Sequence, residues 1–301
     1  MVTGGAGFIG SHLVRRLVAD HYEVRVLDNF TTGKPANLSG LESVEVVHGD
    51  VRSRADLERA MHAVEAVFHL AAIASVERSW SDPVETLAVN AHGTANVIEA
   101  AVKSGISAVV YSSSAAVYGD QEVETTSEEL EPRPISPYGY SKLLGEKIAL
   151  AHSQSARGVR VIALRYFNVF GPGQDPDSPY SAAIPIFIKH ALAGTTATIY
   201  GDGQQSRDFL HVDDVAQANV CAFESDASGL AINIASGQSH TLLQLVDAIN
   251  TITGRTLSTT FAPPREGDIR HSLADVRLAE NAIGFHSKIA FAEGLRRTIR
   301  G

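Results

Sequence analysis

The chain holds a single cysteine, Cys221, so it can close no internal disulfide and cannot build a cysteine-rich zinc site. Within the apolar run VAQANVCAF that cysteine reads as a small core residue, and a reducing compartment suits it. Positive charge is scarce as well: 25 Lys and Arg stand against 34 Asp and Glu, a net charge of −9. Without a diffuse basic surface, neither nucleic acid nor an anionic membrane face is an expected partner, and an anionic ligand would need locally placed arginines. No apolar run reaches membrane-spanning length, and the start lacks the basic-then-apolar layout of a secretory signal, so a cytoplasmic protein is expected. The twelve histidines show no HExxH or other ligand spacing; His69 and His211 read as packing or hydrogen-bonding residues, and no metal is expected.

What the sequence does contain is alternation. Short β-branched runs (VRVL near 24, VEVV near 44, AVFHL near 66, AVVYS near 108, VRVIALRY near 159) are separated by helical patterns starting near Gly10, Arg54, Pro83 and Pro137. This implies βαβ units and a doubly wound α/β fold whose parallel sheet is covered on both faces. The rhythm breaks after Tyr166 at a Gly/Pro/Asp-rich loop, 171–180, and the remainder reads as a smaller lobe. With 301 residues, the chain is about twice a typical domain in length. The first strand has only two residues before Thr3, fewer than a central strand normally uses, which raises the expectation that the natural chain starts earlier.

In open α/β sheets ligands bind beyond the carboxyl ends of the strands, so the residues that follow each strand carry the argument. TGGAGFIG follows the first strand; Gly5, Gly7 and Gly10 satisfy GxGxxG, while Gly4, Gly7 and Gly10 satisfy GxxGxxG. Such a turn lets the backbone approach a pyrophosphate at a helix N-terminus. The second strand ends in Asp28, whose carboxylate can accept both hydroxyls of an adenosine ribose and repel a 2′-phosphate, which favours NAD over NADP. Asp50, after the third strand, is placed to meet the adenine but is equally an ordinary helix-capping residue.

Two further strand-to-helix junctions bear hydroxyls. AVVYSSSAAVYG places Ser112, Ser113 and Ser114 directly after the strand near 108, where a serine can donate to a reacting oxygen. In SPYGYSK, Ser136 suits an N-cap and Pro137 the first helical position, so Tyr138 and Lys142 share a helix face one turn apart. For Tyr138 to act as a base near neutrality its pKa must fall from about 10 toward 7, roughly 4 kcal/mol. An ammonium about 5 Å away at an effective dielectric near 20 contributes roughly 3 kcal/mol and a helix N-terminus about 0.3 to 1. Tyr140 points to another face and carries no role.

With TGGAGFIG, FHLAA at 68–72, NAHGT at 90–94, YSSSAAVYG and SPYGYSK in that order, the chain resembles the extended short-chain dehydrogenase/reductase family from end to end. The resemblance implies a Rossmann domain binding NAD over 1–167, with a returning segment near 208–235, and a nucleotide-sugar-binding lobe over 168–207 and 236–301. It implies Tyr138 as general base, Lys142 as its electrostatic partner and Ser114 as hydroxyl donor. The cofactor would be lined by Gly4, Gly7, Phe8, Ile9, Gly10, Asp28, Asn29, Asp50, Val51, Leu70, Ala71, Ala72, Asn90, Ser112, Tyr138, Lys142 and Tyr166.

Related dehydratases and decarboxylases carry an acidic residue in patterns like TDEVYG, where this chain has Ala115 and Ala116; it looks instead like the sugar 4-epimerases. That likeness implies oxidation at C4 to a 4-keto sugar, rotation, and reduction from the other face. A sugar that must rotate is held by its nucleotide, which the resemblance assigns to Asn168, Tyr200, Arg207, Arg265 and Asp268, with Ser75, Ser114 and Tyr138 at the sugar. A planar guanidinium fork suits a pyrophosphate. Ser272, four residues beyond Asp268, stands where a tyrosine would restrict the pocket to plain hexoses, so acceptance of 2-acetamido sugars is expected. A UDP-glucuronate decarboxylase or 4-epimerase, and a non-catalytic NAD-binding sensor, are the alternative readings. The family usually dimerises through the helices that begin near Pro83 and Pro137, and a homodimer is expected.

Overall fold

A computed structural model describes residues 1–121, 123–153, 159–176, 182–264 and 269–301. Seven strands form one sheet: β1 (Val2–Thr3), β2 (Arg25–Asp28), β3 (Glu45–His48), β4 (Ala66–His69), β5 (Ala108–Ser114), β6 (Arg160–Tyr166) and β7 (Leu230–Ile234). Their order is β7-β6-β5-β4-β1-β2-β3, and every pairing is parallel. Because side chains alternate across a strand, Val109, Val161 and Ala163 enter the core on one face, while Val110, Ile162 and Leu164 enter that on the other. Both faces are therefore apolar and both are covered, as a parallel sheet requires.

One face is covered by α1 (Phe8–Ala19) and α5 (Val212–Glu224), which pack side by side through Leu13, Val14, Val215 and Ala218. The other is covered by α2 (Arg54–Met61), α3 (Gly93–Lys103) and α4 (Pro137–Ser153), contributing Leu57, Met61, Val97, Ile98 and Ala149. A turn of π-helix, Ala88–His92, leads into α3. The strand order reverses between β1 and β4, which opens the crevice where α/β sheets hold ligands. Short as it is, β1 pairs on both edges, with Val26 and Leu27 on β2 and Phe68 and His69 on β4.

Beyond the sheet, helices Ala183–Ala193 and Leu242–Thr253 pack together over a third apolar cluster, beside a parallel pair formed by strands Ala197–Tyr200 and Thr259–Ala262. Ser206–Asp208 pairs antiparallel with Ser239–Thr241, and the segment carrying His271 and Ser272 bridges to Ser206. These pieces form the far wall of the crevice.

Candidate active site

A cavity of about 1630 Å³ lies along the carboxyl ends of the strands and runs on beneath the second lobe. That exceeds the roughly 300 to 1,000 Å³ of a pocket for one small ligand and leaves room for two. Its walls include Gly4, Gly7, Phe8, Ile9, Gly10, Asp28, Asn29, Asp50, Val51, Leu70, Ala71, Ala72, Ser75, Ser112, Ser114, Tyr138, Lys142, Tyr166, Asn168, Tyr200, Arg207 and Ser272. Arg265 and Asp268 lie outside the described residues. Asn90 does not line the cavity but sits one layer behind, accepting from the Ile73 amide at 2.8 Å and donating to the Ile73 carbonyl and Ser141 Oγ at 3.0 and 2.9 Å. Expected against the cofactor, it instead pins the loop after β4 to α4.

At the nucleotide end, Gly4 has φ +68, and a Cβ there would lie 2.8 Å from the Ala71 backbone. A Cβ on Gly10 would lie 2.2 Å from the Gly4 carbonyl, so α1 can press onto the turn only with glycine at that position. Gly7, the N-cap of α1, supplies no side chain to its first amides, which remain available to an anion. Asp28 is buried; Oδ2 accepts from the Ala6 amide at 2.9 Å and Oδ1 from Phe30 at 2.8 Å, so each oxygen keeps a lone pair for a ribose hydroxyl. A Cβ on Gly33 would lie 2.9 Å from both Asp28 carboxylate oxygens, and Lys34 and Asn37 bond to the Ala6 carbonyl, folding this loop over Asp28. Sequence reasoning passed over that loop, although a glycine five residues beyond the acid was a usable sign. Asp50 is tied to Arg52 at 2.7 Å and to Asn29 at 2.9 Å, bonds that hold its carboxyl far below the usual carboxylate range. Arg52 in turn bonds both oxygens of Glu85.

The hydroxyl end is assembled by β5 and α4. Ser136 caps the helix by accepting from the Gly139 amide at 3.1 Å, and the Tyr138 amide donates to Ser79 Oγ at 3.0 Å. Ser79 belongs to a short helix, Val76–Ser81, capped by Ser75, so two elements fix the tyrosine's start. Ser114 Oγ accepts from the Ala116 amide at 3.2 Å and stands close enough to Tyr138 to oppose the effect of burial on the phenol. One turn on, Lys142 Nζ donates to the Ser112 carbonyl at 2.8 Å and is 5.4 Å from the centre of the Tyr111 ring.

Burial sets the protonation balance of the two groups in the protein alone. It pushes the Tyr138 phenol above its ordinary range, opposed only by Ser114, and brings the Lys142 ammonium down to about 7. Desolvation disfavours the charged form of both groups, and it is the positive charge of a bound nicotinamide ring, added to that of Lys142, that has to bring the phenol down. His69 is fully enclosed between Thr3 and Thr94 at 2.7 and 3.0 Å, and burial followed by the Lys142 charge brings its pKa to about 3, so it stays neutral. His211 caps α5 by accepting from the Asp213 amide.

In the second lobe, Asn168 donates to the Asp208 carbonyl at 3.0 Å and Arg207 to the Ser206 carbonyl at 2.9 Å. Ser272 is held to the Ser206 carbonyl through its amide at 3.1 Å. Arg78, Gln121, Phe187 and His190 also line the cavity and carried no motif in the sequence. Among the described residues no cluster of three or more His, Cys, Asp or Glu could hold a metal.

Comparison with known proteins agrees with this geometry. Residues 1–235 match the NAD dependent epimerase/dehydratase family. The chain is 38% identical over 305 residues to the UDP-glucose 4-epimerase of Mycolicibacterium smegmatis, covering 99% of this chain and 96% of that one. The solved UDP-N-acetylglucosamine 4-epimerase of Methanobrevibacter ruminantium, in complex with UDP-N-acetylmuramic acid, superposes with a TM-score of 0.95 at 39% identity, covering 99% and 96% of the two chains. UDP-glucuronic acid decarboxylase 1 of Xenopus tropicalis is 33% identical over 307 residues, covering 99% of this chain and 70% of its own length.

Proposed function

The chain belongs to the NAD dependent epimerase/dehydratase family, and from that premise we propose that it is an NAD-dependent isomerase inverting C4 of a UDP-hexose through a transient 4-keto sugar. The observation that carries this reading is that Ser114, Tyr138 and, a turn away, Lys142 line the same cavity as the glycine turn and Asp28. NAD fits the residues present: Gly4, Gly7 and Gly10 carry no Cβ where the turn and α1 meet, the amides of α1 are uncapped, and Asp28 has lone pairs to spare.

When bound, NAD supplies a hydride acceptor that returns what it takes, and its ring brings positive charge. Tyr138 Oη takes the proton from the C4 hydroxyl while Ser114 Oγ donates to the same oxygen, and Tyr138 gives the proton back after the sugar has turned. Ala115 and Ala116 place no carboxylate after β5, which disfavours the decarboxylase and dehydratase chemistries of related enzymes. Product analysis after incubation with UDP-glucose, UDP-N-acetylglucosamine and UDP-glucuronate tests the reading. A C4 epimer of a neutral sugar supports it, whereas pentose formation from the uronate replaces it with decarboxylation.

The ribose assignment has its own consequence. Asp28→Ala removes an acceptor and the repulsion of a 2′-phosphate, so NAD affinity should fall about tenfold or more and the preference for NAD over NADP should shrink. Calorimetric titration of both nucleotides measures this, and equal wild-type affinity for the two would remove the role given to Asp28.

The working form we propose is a cytoplasmic homodimer. No helix among the described residues is long and apolar enough to cross a membrane. Trp80 at 64% exposure and Val84 at 77%, with Leu87, Tyr140 and Leu144, form an exposed apolar face on packed helices Val76–Ser81, Pro83–Leu87 and α4. A second copy laid on this face would bury it as a helical bundle. Val84→Asp with Leu144→Asp should convert a dimer to a monomer in sedimentation equilibrium; an unchanged mass would place the interface elsewhere.

A further inference from the structure

Tyr138, Lys142 and Glu146 follow one another at one-turn intervals on α4, and the mechanism above gives Glu146 nothing to do. It is nevertheless buried, at 2% exposure, and fully bonded. Its Oε2 accepts from Ser113 Oγ at 2.6 Å and from Arg165 Nε at 3.0 Å, and Oε1 accepts from Arg165 Nη2 at 2.5 Å. Sheet register explains how these groups meet. Ser113 on β5 stands beside Arg165 on β6, which stands beside Asn233 on β7, so the three share one sheet face, and α4 crosses that face. Arg165 Nη1 also donates to Tyr118 Oη at 2.8 Å, and Tyr118 donates to Asn233 Oδ1 at 2.7 Å.

A buried ion pair contributes little net stability, because the desolvation of both ions offsets their attraction. Its value is geometric. Ser113 lies between Ser112, whose carbonyl holds Lys142, and Ser114, which stands close to Tyr138. With the Lys142 bond to the Ser112 carbonyl and the Tyr111 hydroxyl donating to the Lys142 carbonyl at 3.2 Å, the Glu146–Ser113 bond is a third rung between β5 and α4, and it closes the strand exit against the helix.

We propose that Glu146, with Arg165 as its counter-ion, is a positioning residue that sets the register of the serine strand exit against Tyr138 and Lys142, and so governs the chemical step without contributing to binding. This rests on the epimerase reading and refines it. Glu146 and Arg165 stand behind a stretch of cavity wall that includes Ser112, Ser113, Ser114, Tyr118 and Tyr138, so loosening the pair shifts the reacting hydroxyls while the nucleotide contacts in the second lobe stay in place.

Ser113→Ala is the decisive variant, since it cuts the rung and leaves the ion pair intact. Steady-state kinetics should show kcat lowered about tenfold or more with KM for the UDP-sugar within threefold of wild type, NAD content unchanged and a thermal midpoint within a few degrees. Glu146→Gln, which leaves the Arg165 charge uncompensated, should lose more kcat in whatever fraction folds. A Ser113→Ala enzyme with kcat within threefold of wild type, or one whose KM rises in step with the loss or whose loss matches its unfolded fraction, overturns the proposal. Wild type is assayed alongside; if it does not epimerise, the functional reading fails, an outcome distinct from an active wild type with an equally active variant.

Discussion

Replacing Tyr138 with phenylalanine should lower turnover by about 10²- to 10⁴-fold, the usual contribution of a positioned acid–base group, while UDP-sugar and NAD affinities stay within a few fold. The substitution removes one oxygen from a cavity wall and leaves the Tyr138 amide bond to Ser79 and the Ser136 cap in place, so the helix start is preserved. Its pH signature follows from the direction of the shift. Burial holds the Tyr138 proton on to higher pH than an ordinary phenol, so the base form accumulates only as pH rises, and wild-type kcat should climb through the alkaline side of neutrality. Positive charge brought by the cofactor moves that limb toward neutrality, which is why it should be read in the loaded enzyme. Phenylalanine abolishes the limb together with the rate. Turnover within tenfold of wild type would remove Tyr138 from the mechanism.

Substrate choice should hinge on Ser272. Its amide is fixed to the Ser206 carbonyl and Ser206 Oγ bonds His271 at 2.9 Å, so position 272 is anchored in the wall of the cavity. On the proposed epimerase reading, a serine here leaves the volume that an acetamido group at C2 would take, and a tyrosine would occupy it. Overfilling a packed site costs about 1 to 3 kcal/mol, which is tenfold or more in selectivity. Wild type should interconvert UDP-N-acetylglucosamine and UDP-N-acetylgalactosamine alongside the plain hexoses, and Ser272→Tyr should lower kcat/KM for the acetylated pair about tenfold to a hundredfold while sparing the hexoses. Equal losses on both pairs would show that position 272 is not the gate.

The parts of the site legible in the sequence are those that depend on local rules. Asp28 and the Ser112–Ser114 trio sit at strand ends because β-branched runs stop there, and Tyr138 and Lys142 share a face because Ser136 and Pro137 start a helix just ahead of them. The parts that were not legible depend on lateral neighbours. Nothing near Glu146 announces Arg165, nineteen residues away, because they meet through the register of β5, β6 and β7. The Ser79 bond to the Tyr138 amide spans 59 residues and likewise belongs to packing. The same gap explains Asn90: the NAHGT motif marks a structurally important residue but not which side of the cavity wall it occupies. Local rules also favoured a charged Lys142, since sequence spacing gives distances between groups but not the burial that penalises their ionised forms.

In the proposed reaction C4 is oxidised and then reduced by the same cofactor within one binding event. Enzyme should be incubated with UDP-glucose carrying deuterium at C4, without added nucleotide or reductant, and the products examined by NMR. The expected product is UDP-galactose with the deuterium still on C4 and none lost to water. A C4 epimer that has exchanged its label with solvent, or no epimer at all while UDP-glucuronate releases carbon dioxide, would contradict it.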